Sequence, residues 1–204
     1  MKAEIPITWA EVVDSTNSWA SREMSVIDKM SVFAALYQTA GRGQMGNKWH
    51  SATGENLTFS IVLRFGNSLT GNVRAMDQFI ITEVSALAVA DFLTDKGADV
   101  RIKWPNDIWV GDRKICGILI ENILDGDRIE ASIVGIGLDV NEETWPEELP
   151  NPVSMKQLTG IHYELVSELE ELCASISKRY FQSMDKEGRK SLEKEFNEHM
   201  FRLP

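Results

Sequence analysis

Cysteine is nearly absent: Cys116 and Cys173 are the only two in 204 residues. Two thiols cannot build a disulfide framework, and their separation matches no metal-ligand spacing. Long apolar runs are missing as well. None reaches the roughly 18 residues that a membrane-spanning helix needs, and Met1-Lys2-Ala3-Glu4 does not open a secretory signal. A reducing, cytoplasmic setting is therefore expected. Positive charge is scarce, with 21 Lys and Arg against 31 Asp and Glu and a formal net charge of −10. The deficit is even along the chain: 13 against 18 in residues 1–141, and 8 against 13 in residues 142–204. General nucleic-acid binding needs a positive face to neutralise phosphates, and no region supplies one. A local basic cluster, suited to a small phosphate-bearing ligand, stays open. Histidine is limited to His50, His162 and His199, too scattered to suggest a nucleophilic triad or a metal cluster.

Apolar residues make up 43% of the chain, enough for a proper globular core. Residues 5–13 read as a strand, and Asp14-Ser15-Thr16-Asn17 as a helix N-cap leading into 18–24. Residues 32–37 and 56–65 read as further strands. The clearest helix is 73–96, where Met76, Phe79, Ile80, Val84, Leu87 and Ala88 follow three-and-four spacing and Gly97 stands at the C-cap. A strand over 100–104 is stopped by Pro105. Residues 107–110 and 114–121 flank Gly111-Asp112 as a hairpin, and 129–140 form a last strand. Beyond an acidic loop at 142–152 with three prolines, amphipathic helices are predicted near 164–184 and 186–200. Strands dominate the front and helices the rear. The pattern predicts one α+β domain over 1–204, a mixed sheet backed by helices, with 154–204 as its helical, packing part.

Three strings carry chemistry. Gly41-x-Gly43-x-x-Gly46 spells the dinucleotide-binding fingerprint, yet residues 48–55 lack helical periodicity and residues 61–72 hold no Asp or Glu for a ribose. The Rossmann reading fails. What is left is a glycine loop containing Arg42, with Lys48 beside it; it serves either as a plain turn or as a cradle whose N–H groups meet anionic oxygens. In Lys103-Trp104-Pro105-Asn106-Asp107, proline ends a strand abruptly and leaves a lysine at its tip, where scaffolds present catalytic side chains. A solvated lysine beside an Asn-Asp turn is the plainer alternative. In residues 114–121, alternation puts Ile115, Gly117, Leu119 and Glu121 on one face and Lys114, Cys116, Ile118 and Ile120 on the other. Gly117 marks a bulge or a close approach; Cys116 reads as a small core residue. Trp49 and Trp104 either wall a pocket or fill the core.

Taken in order, Asp14-Ser15-Thr16-Asn17, the string from Gln38 through Gly41-Arg42-Gly43-Gln44 to Trp49, Lys103-Trp104-Pro105-Asn106-Asp107 and Arg113-Lys114-Ile115-Cys116-Gly117-Ile118-Leu119-Ile120-Glu121 resemble the biotin protein ligases. The resemblance spans about residues 5–203. It implies the class II synthetase-like catalytic fold shared by biotin and lipoate ligases, with biotin and Mg-ATP as substrates and a biotin carboxyl carrier domain as partner. It also implies roles: Ser15, Thr16, Asn17 and Gln38 hold the ureido end of biotin, and Gly117 and Gly135 line its slot. Arg42, Gly43 and Gln44 belong to the loop that closes over carboxylate and α-phosphate, and Lys103 touches both. Arg42 and Lys103 are thus the catalytic pair, and Arg42, Trp49, Asn106, Asp107, Lys114 and Asn141 place the nucleotide. No dedicated protein metal site is implied.

The chain departs from the common pattern at Gln44 and Asn47, where many members carry arginine. Fourteen residues precede Ser15, leaving no winged helix, so operator binding is not expected. The sequence ends at Phe201-Arg202-Leu203-Pro204, where relatives continue into an SH3-like barrel. A lipoate or octanoyl ligase, and a biotin or adenylate binder that does not turn over, stand as alternatives. The resemblance leaves room for a homodimer through the sheet.

Overall fold

The computed structural model describes residues 5–65 and 73–201; the chain ends and residues 66–72 read above lie outside the described residues. Eight strands form one mixed sheet in the order β1-β2-β3-β7-β6-β5-β4-β8. β1 (Ile7–Val13), α1 (Thr16–Glu23) and β2 (Ser31–Gln38) make a parallel crossover unit. β3 (Leu57–Arg64) runs antiparallel to β2 and to β7 (Arg128–Leu138). β4 (Val100–Lys103), β5 (Asp107–Val110) and β6 (Arg113–Asp125) complete the antiparallel middle, with β4 ended at the cis Trp104–Pro105 peptide.

Helices cover both faces. On one side lies α2 (Phe79–Asp95), packed in turn by α4 (Leu165–Gln182) and α5 (Lys186–His199). This layer holds the main core: Leu57, Phe59 and Ile61 of β3, Ile118 of β6 and Val134 and Ile136 of β7 meet Val84, Leu87 and Leu93 of α2. On the other side α1 packs Ala20 with Phe33, Val62 and Ile133. β3 is buried on both faces as far as Leu63, with Thr58 and Ser60 as the polar residues among its apolar ones.

Four local expectations are corrected. The helix begins at Phe79, because Ala75–Asp77 form a short 3₁₀ turn before it. Its C-terminus is as read, with Gly97 at φ +86°, the left-handed region that glycine enters without a Cβ clash. β6 runs on to Asp125 and turns through Gly126 into β7, a second hairpin hidden by polar residues. A five-residue α3 (Met155–Thr159), fixed by a capping box at Ser154 and Gln157, and an edge strand β8 (Met200–Phe201), parallel to β4, were not anticipated. Finally, Lys114 shares the face of Gly117. The pairing steps from Ile108↔Cys116 to Trp109↔Lys114, so Ile115 is an extra residue in a bulge and the alternation inverts there.

Candidate functional site

On the α1 side, between the sheet and the 41–49 loop, lies a cavity of about 210 Å³. Its floor is β6 and β7, where Gly117 and Gly137 are cross-strand partners and Gly135 lies two residues along. The absence of side chains here is structural. A Cβ on Gly135 would fall 2.2 Å from Asn17 Oδ1, and one on Gly137 would fall 2.2 Å from Trp49 Cε2. A Cβ on Gly117 would meet Trp49 Cζ3 at 2.9 Å.

One end of the cavity is neutral and polar. The N-terminus of α1 borders the cavity, with Ser15, Thr16 and Asn17 lining it; Ser15, the N-cap residue, makes no side-chain cap bond. Thr16 N–H donates to Gln38 Oε1 at 2.8 Å, and Ser60 Oγ lies 2.6 Å from Asn17 Oδ1 and 2.8 Å from Thr16 Oγ1. Asn17 Nδ2 donates to Glu121 Oε2 at 2.7 Å. Each amide is thereby oriented from behind. Arg42 spans the mouth, with both terminal nitrogens on Glu121 at 3.0 and 2.9 Å.

The other end is basic and aromatic. Lys114 Nζ lies 2.7 Å from Asp107 Oδ1 and 5.7 Å from the Trp49 ring centroid. Asn106 is buried and donates from Nδ2 to the Ile118 carbonyl. The 41–49 loop folds back on itself, Gly43 N–H donating to Asn47 O at 2.7 Å and Trp49 N–H to Gly41 O at 3.1 Å. Its tip, Met45, is fully exposed. Behind Trp49, the buried Glu142 accepts from Ala52 N–H at 3.0 Å, from Asn56 Nδ2 and from His50 Nε2 at 3.1 Å. Nearby Asp139 is almost wholly buried, and burial together with the Glu142 charge pushes its carboxyl well above the usual range. Burial likewise pushes the Cys116 thiol up, which disfavours its thiolate. Among the described residues no group of three His, Cys, Asp or Glu is arranged to hold a metal, and no helix is long and apolar enough to cross a membrane.

Of the residues singled out in the sequence, Ser15, Thr16, Asn17, Gln38, Arg42, Gly43, Gln44, Trp49, Asn106, Asp107, Lys114, Gly117 and Gly135 all line this cavity. Two stand apart. The Lys103 ammonium rests over the Trp109 ring, 4.9 Å from its centroid. The Asn141 side chain grips the backbone of Tyr163, donating to its carbonyl and accepting from its N–H at 2.9 Å each. Missed in the sequence were Gly137, Ser60 and Glu121's hold on Asn17. All sit in ordinary strand sequence, and only the glycine at 137 offered a signal.

Residues 9–141 match the Biotin/lipoate A/B protein ligase family. The biotin--[acetyl-CoA-carboxylase] ligase of Paracoccus denitrificans is 32% identical over 183 residues, covering 86% of this chain and 72% of that protein. The bifunctional ligase/repressor BirA of Escherichia coli is 37% identical over 131 residues, covering 64% of this chain and 38% of that protein. BirA of Bacillus spizizenii is 33% identical over 147 residues, covering 70% and 43%. The chain thus spans 43% or less of the length of these two curated relatives. The structure of the biotin protein ligase from Aquifex aeolicus in complex with biotin and ATP superposes with a TM-score of 0.77 at 27% identity, covering 96% of this chain and 78% of that one. With a match over residues 9–141, well over half its length, this chain belongs to the biotin/lipoate A/B protein ligase family.

Proposed function

We propose that this chain ligates biotin to a lysine of a biotin carboxyl carrier domain through biotinyl-5′-AMP. The observation that carries the reading is the two-ended cavity on a glycine floor. Gly135, under Asn17, and Gly137, under Trp49, are two residues apart on β7, or about 7 Å. The two glycines thus seat Asn17 and Trp49 directly on the sheet, and a small ligand with a neutral, hydrogen-bonding head and an anionic tail would lie between them. Thr16, Asn17 and Gln38 suit the ureido ring. Arg42 would take the carboxylate on leaving Glu121, which holds it beside Asn17 in the empty protein, and Gly43 and Gln44 shape the loop that carries it, the Gly43 N–H being given to Asn47 O at 2.7 Å. Trp49, Asn106, Asp107 and Lys114 suit a nucleotide beside it. Asn141 contributes by pinning the backbone at Tyr163. Mg²⁺ would enter with ATP, held by substrate phosphates and water with no dedicated protein site, and would neutralise phosphate charge. In this reading the enzyme is cytoplasmic and makes no use of nucleic acid, in keeping with its acidic charge.

In the first step a biotin carboxylate oxygen bonds to the α-phosphorus of ATP and the α–β phosphoanhydride breaks, releasing pyrophosphate. Negative charge grows on the phosphoryl oxygens, and in this reading Arg42 and Lys103 stabilise it, each on leaving its partner in the empty protein, Glu121 and the Trp109 ring. In the second step the carrier amine attacks the acyl carbon of the mixed anhydride. The amide forms, the acyl–phosphate bond breaks, AMP leaves with the electron pair and the amine gives up a proton. No covalent enzyme nucleophile is required. The test is pyrophosphate release from Mg-ATP with and without biotin, before any carrier is added. A biotin-dependent burst near one equivalent is expected, and Lys103→Ala should slow it by about 10²–10³. No burst, or an equal burst with lipoate, overturns the reading.

A further inference from the structure

The cations to which the proposed function gives a role are held in two different ways. Arg42 is neutralised by Glu121 at 2.9 Å, and Lys114 by Asp107 at 2.7 Å. Among the described residues no carboxylate pairs with Lys103; a ring holds it instead, with Nζ 4.9 Å from the Trp109 centroid. The register explains the difference. Lys103 stands opposite Asp107, and Arg101 opposite Trp109, in the β4–β5 pair. Cross-strand partners and alternate residues share a face, so all four stand on the cavity side. Asp107 would be the natural partner for Lys103, but its carboxylate is taken by Lys114, which the bulge at Ile115 has brought to this side. Trp109 is braced edge-on by Phe201 of β8, with centroids 6.1 Å apart at 78°, and Arg101 lies 4.6 Å over the Phe201 ring.

Resting on the proposed ligase reading, we propose that Trp109 is a positioning residue for Lys103: it fixes the ammonium beside the cavity without neutralising it. A carboxylate in its place would hold the lysine too, but would cancel the charge that the transition state needs. A cation–π contact shifts an equilibrium by only about twofold to thirtyfold, weak enough to yield to an entering phosphate or carboxylate. Because Lys103 faces the cavity-lining Asp107 across the strand pair, rotation about its own side-chain bonds brings the ammonium to the rim.

The test compares W109F, W109L and W109E in the full chain, reading the rate constant of the biotin-dependent pyrophosphate burst, whose saturating value and half-saturating substrate concentrations stand for kcat and KM below. W109F should keep kcat within about threefold. W109L should lose about tenfold in kcat, with KM for biotin and ATP within about twofold. W109E should trap the lysine in an ion pair and fall by about a hundredfold, toward K103A. In the K103A background, W109L should cost nothing further. A wild-type kcat in W109L, equal losses in W109F and W109L, or additive losses in the double variant would each overturn the inference. One arm needs no activity. The Lys103 ε-CH₂ proton resonances of the unliganded wild type, assigned with K103R, should be ring-shifted upfield, and unshifted resonances refute the placement. Wild-type protein without biotin-dependent release defeats the ligase reading and this inference together. Normal wild-type release with an unaffected W109L defeats this inference alone.

Discussion

The two faces of the central strands are built for opposite purposes from alternating positions of the same segments. Toward α2, β3 and β7 present Leu57, Phe59, Ile61, Val134, Ile136 and Leu138, all buried and mutually packed. Toward α1, the same strands present Thr58, Ser60, Gly135 and Gly137. One face gains cohesion by filling space with its own side chains, and the other leaves room over its glycines for Asn17 and Trp49 and arms its margin with hydrogen bonds. The polar residues on the open face are satisfied in place: Thr58 Oγ1 donates to the Ala35 carbonyl at 2.7 Å, and Ser60 Oγ joins Asn17 to Thr16. What separates a core face from a binding face here is residue parity along a strand. The contrast can be broken from either side.

Breaking the filled face should give the largest effect. Phe59 has no exposed surface, so Phe59→Ala should cost about 3–5 kcal/mol of stability through lost transfer energy and the cavity left behind. Chemical denaturation followed by fluorescence checks this. The fraction that remains folded should bind biotin as the wild type does. A large loss of affinity in the folded protein would mean that the two faces are not independent.

Filling the open face should do the reverse. A methyl at Gly135 must displace Asn17, whose Oδ1 would be 2.2 Å away and whose amide is tied to Ser60 and Glu121. Gly135→Ala should weaken biotin binding by about ten- to a hundredfold, as three linked polar groups lose their mutual geometry. Stability should fall by no more than about 1–2 kcal/mol. Isothermal titration, with a melt as control, measures both. Affinity within a factor of two of wild type would show that Asn17 and its partners are not part of the binding geometry.

The same parity decides what could be read from the residues alone. The contiguous strings around Ser15, Arg42, Asn106 and Lys114 announced themselves, because turn and loop chemistry is local. The long apolar helix, the Gly111 turn and the two rear helices were likewise visible in periodicity. Ser60 was not: it is an unremarked serine inside an apolar strand, and its meaning comes from its register opposite Gly135. Lys114 was placed on the wrong face because a single extra residue, Ile115, inverts the alternation, and nothing local distinguishes a bulge there. The strand reads as ending at 121, because the polar Asn122 and Asp125 break the pattern beyond it, yet the ladder to β7 continues through them. β8 is two residues long at the end of a helix. Its strand character comes entirely from pairing with β4.

The smallest expected effect concerns the rim where the two kinds of surface meet. Glu121 belongs to neither: it holds Arg42 with two bonds at 3.0 and 2.9 Å and supports Asn17 from behind with a third at 2.7 Å. Both members of the ion pair are about two-fifths exposed, 43% and 39%, so water screens it and its contribution to stability is about 0–1 kcal/mol. Glu121→Gln keeps an oxygen for Asn17 Nδ2 and removes the charge facing Arg42. Stability should then stay within about 0.5 kcal/mol of wild type. If an entering carboxylate takes Arg42 away from Glu121, the wild-type pair is an interaction of the empty protein alone, and removing it should tighten biotin binding by about two- to fivefold. The gain should shrink as salt rises, because salt already weakens the exposed pair. Titrations of both proteins at low and high ionic strength decide the matter. A tenfold loss of affinity in Glu121→Gln would instead mean that the pair persists around the ligand, making Glu121 a wall of the site rather than a competitor for its arginine.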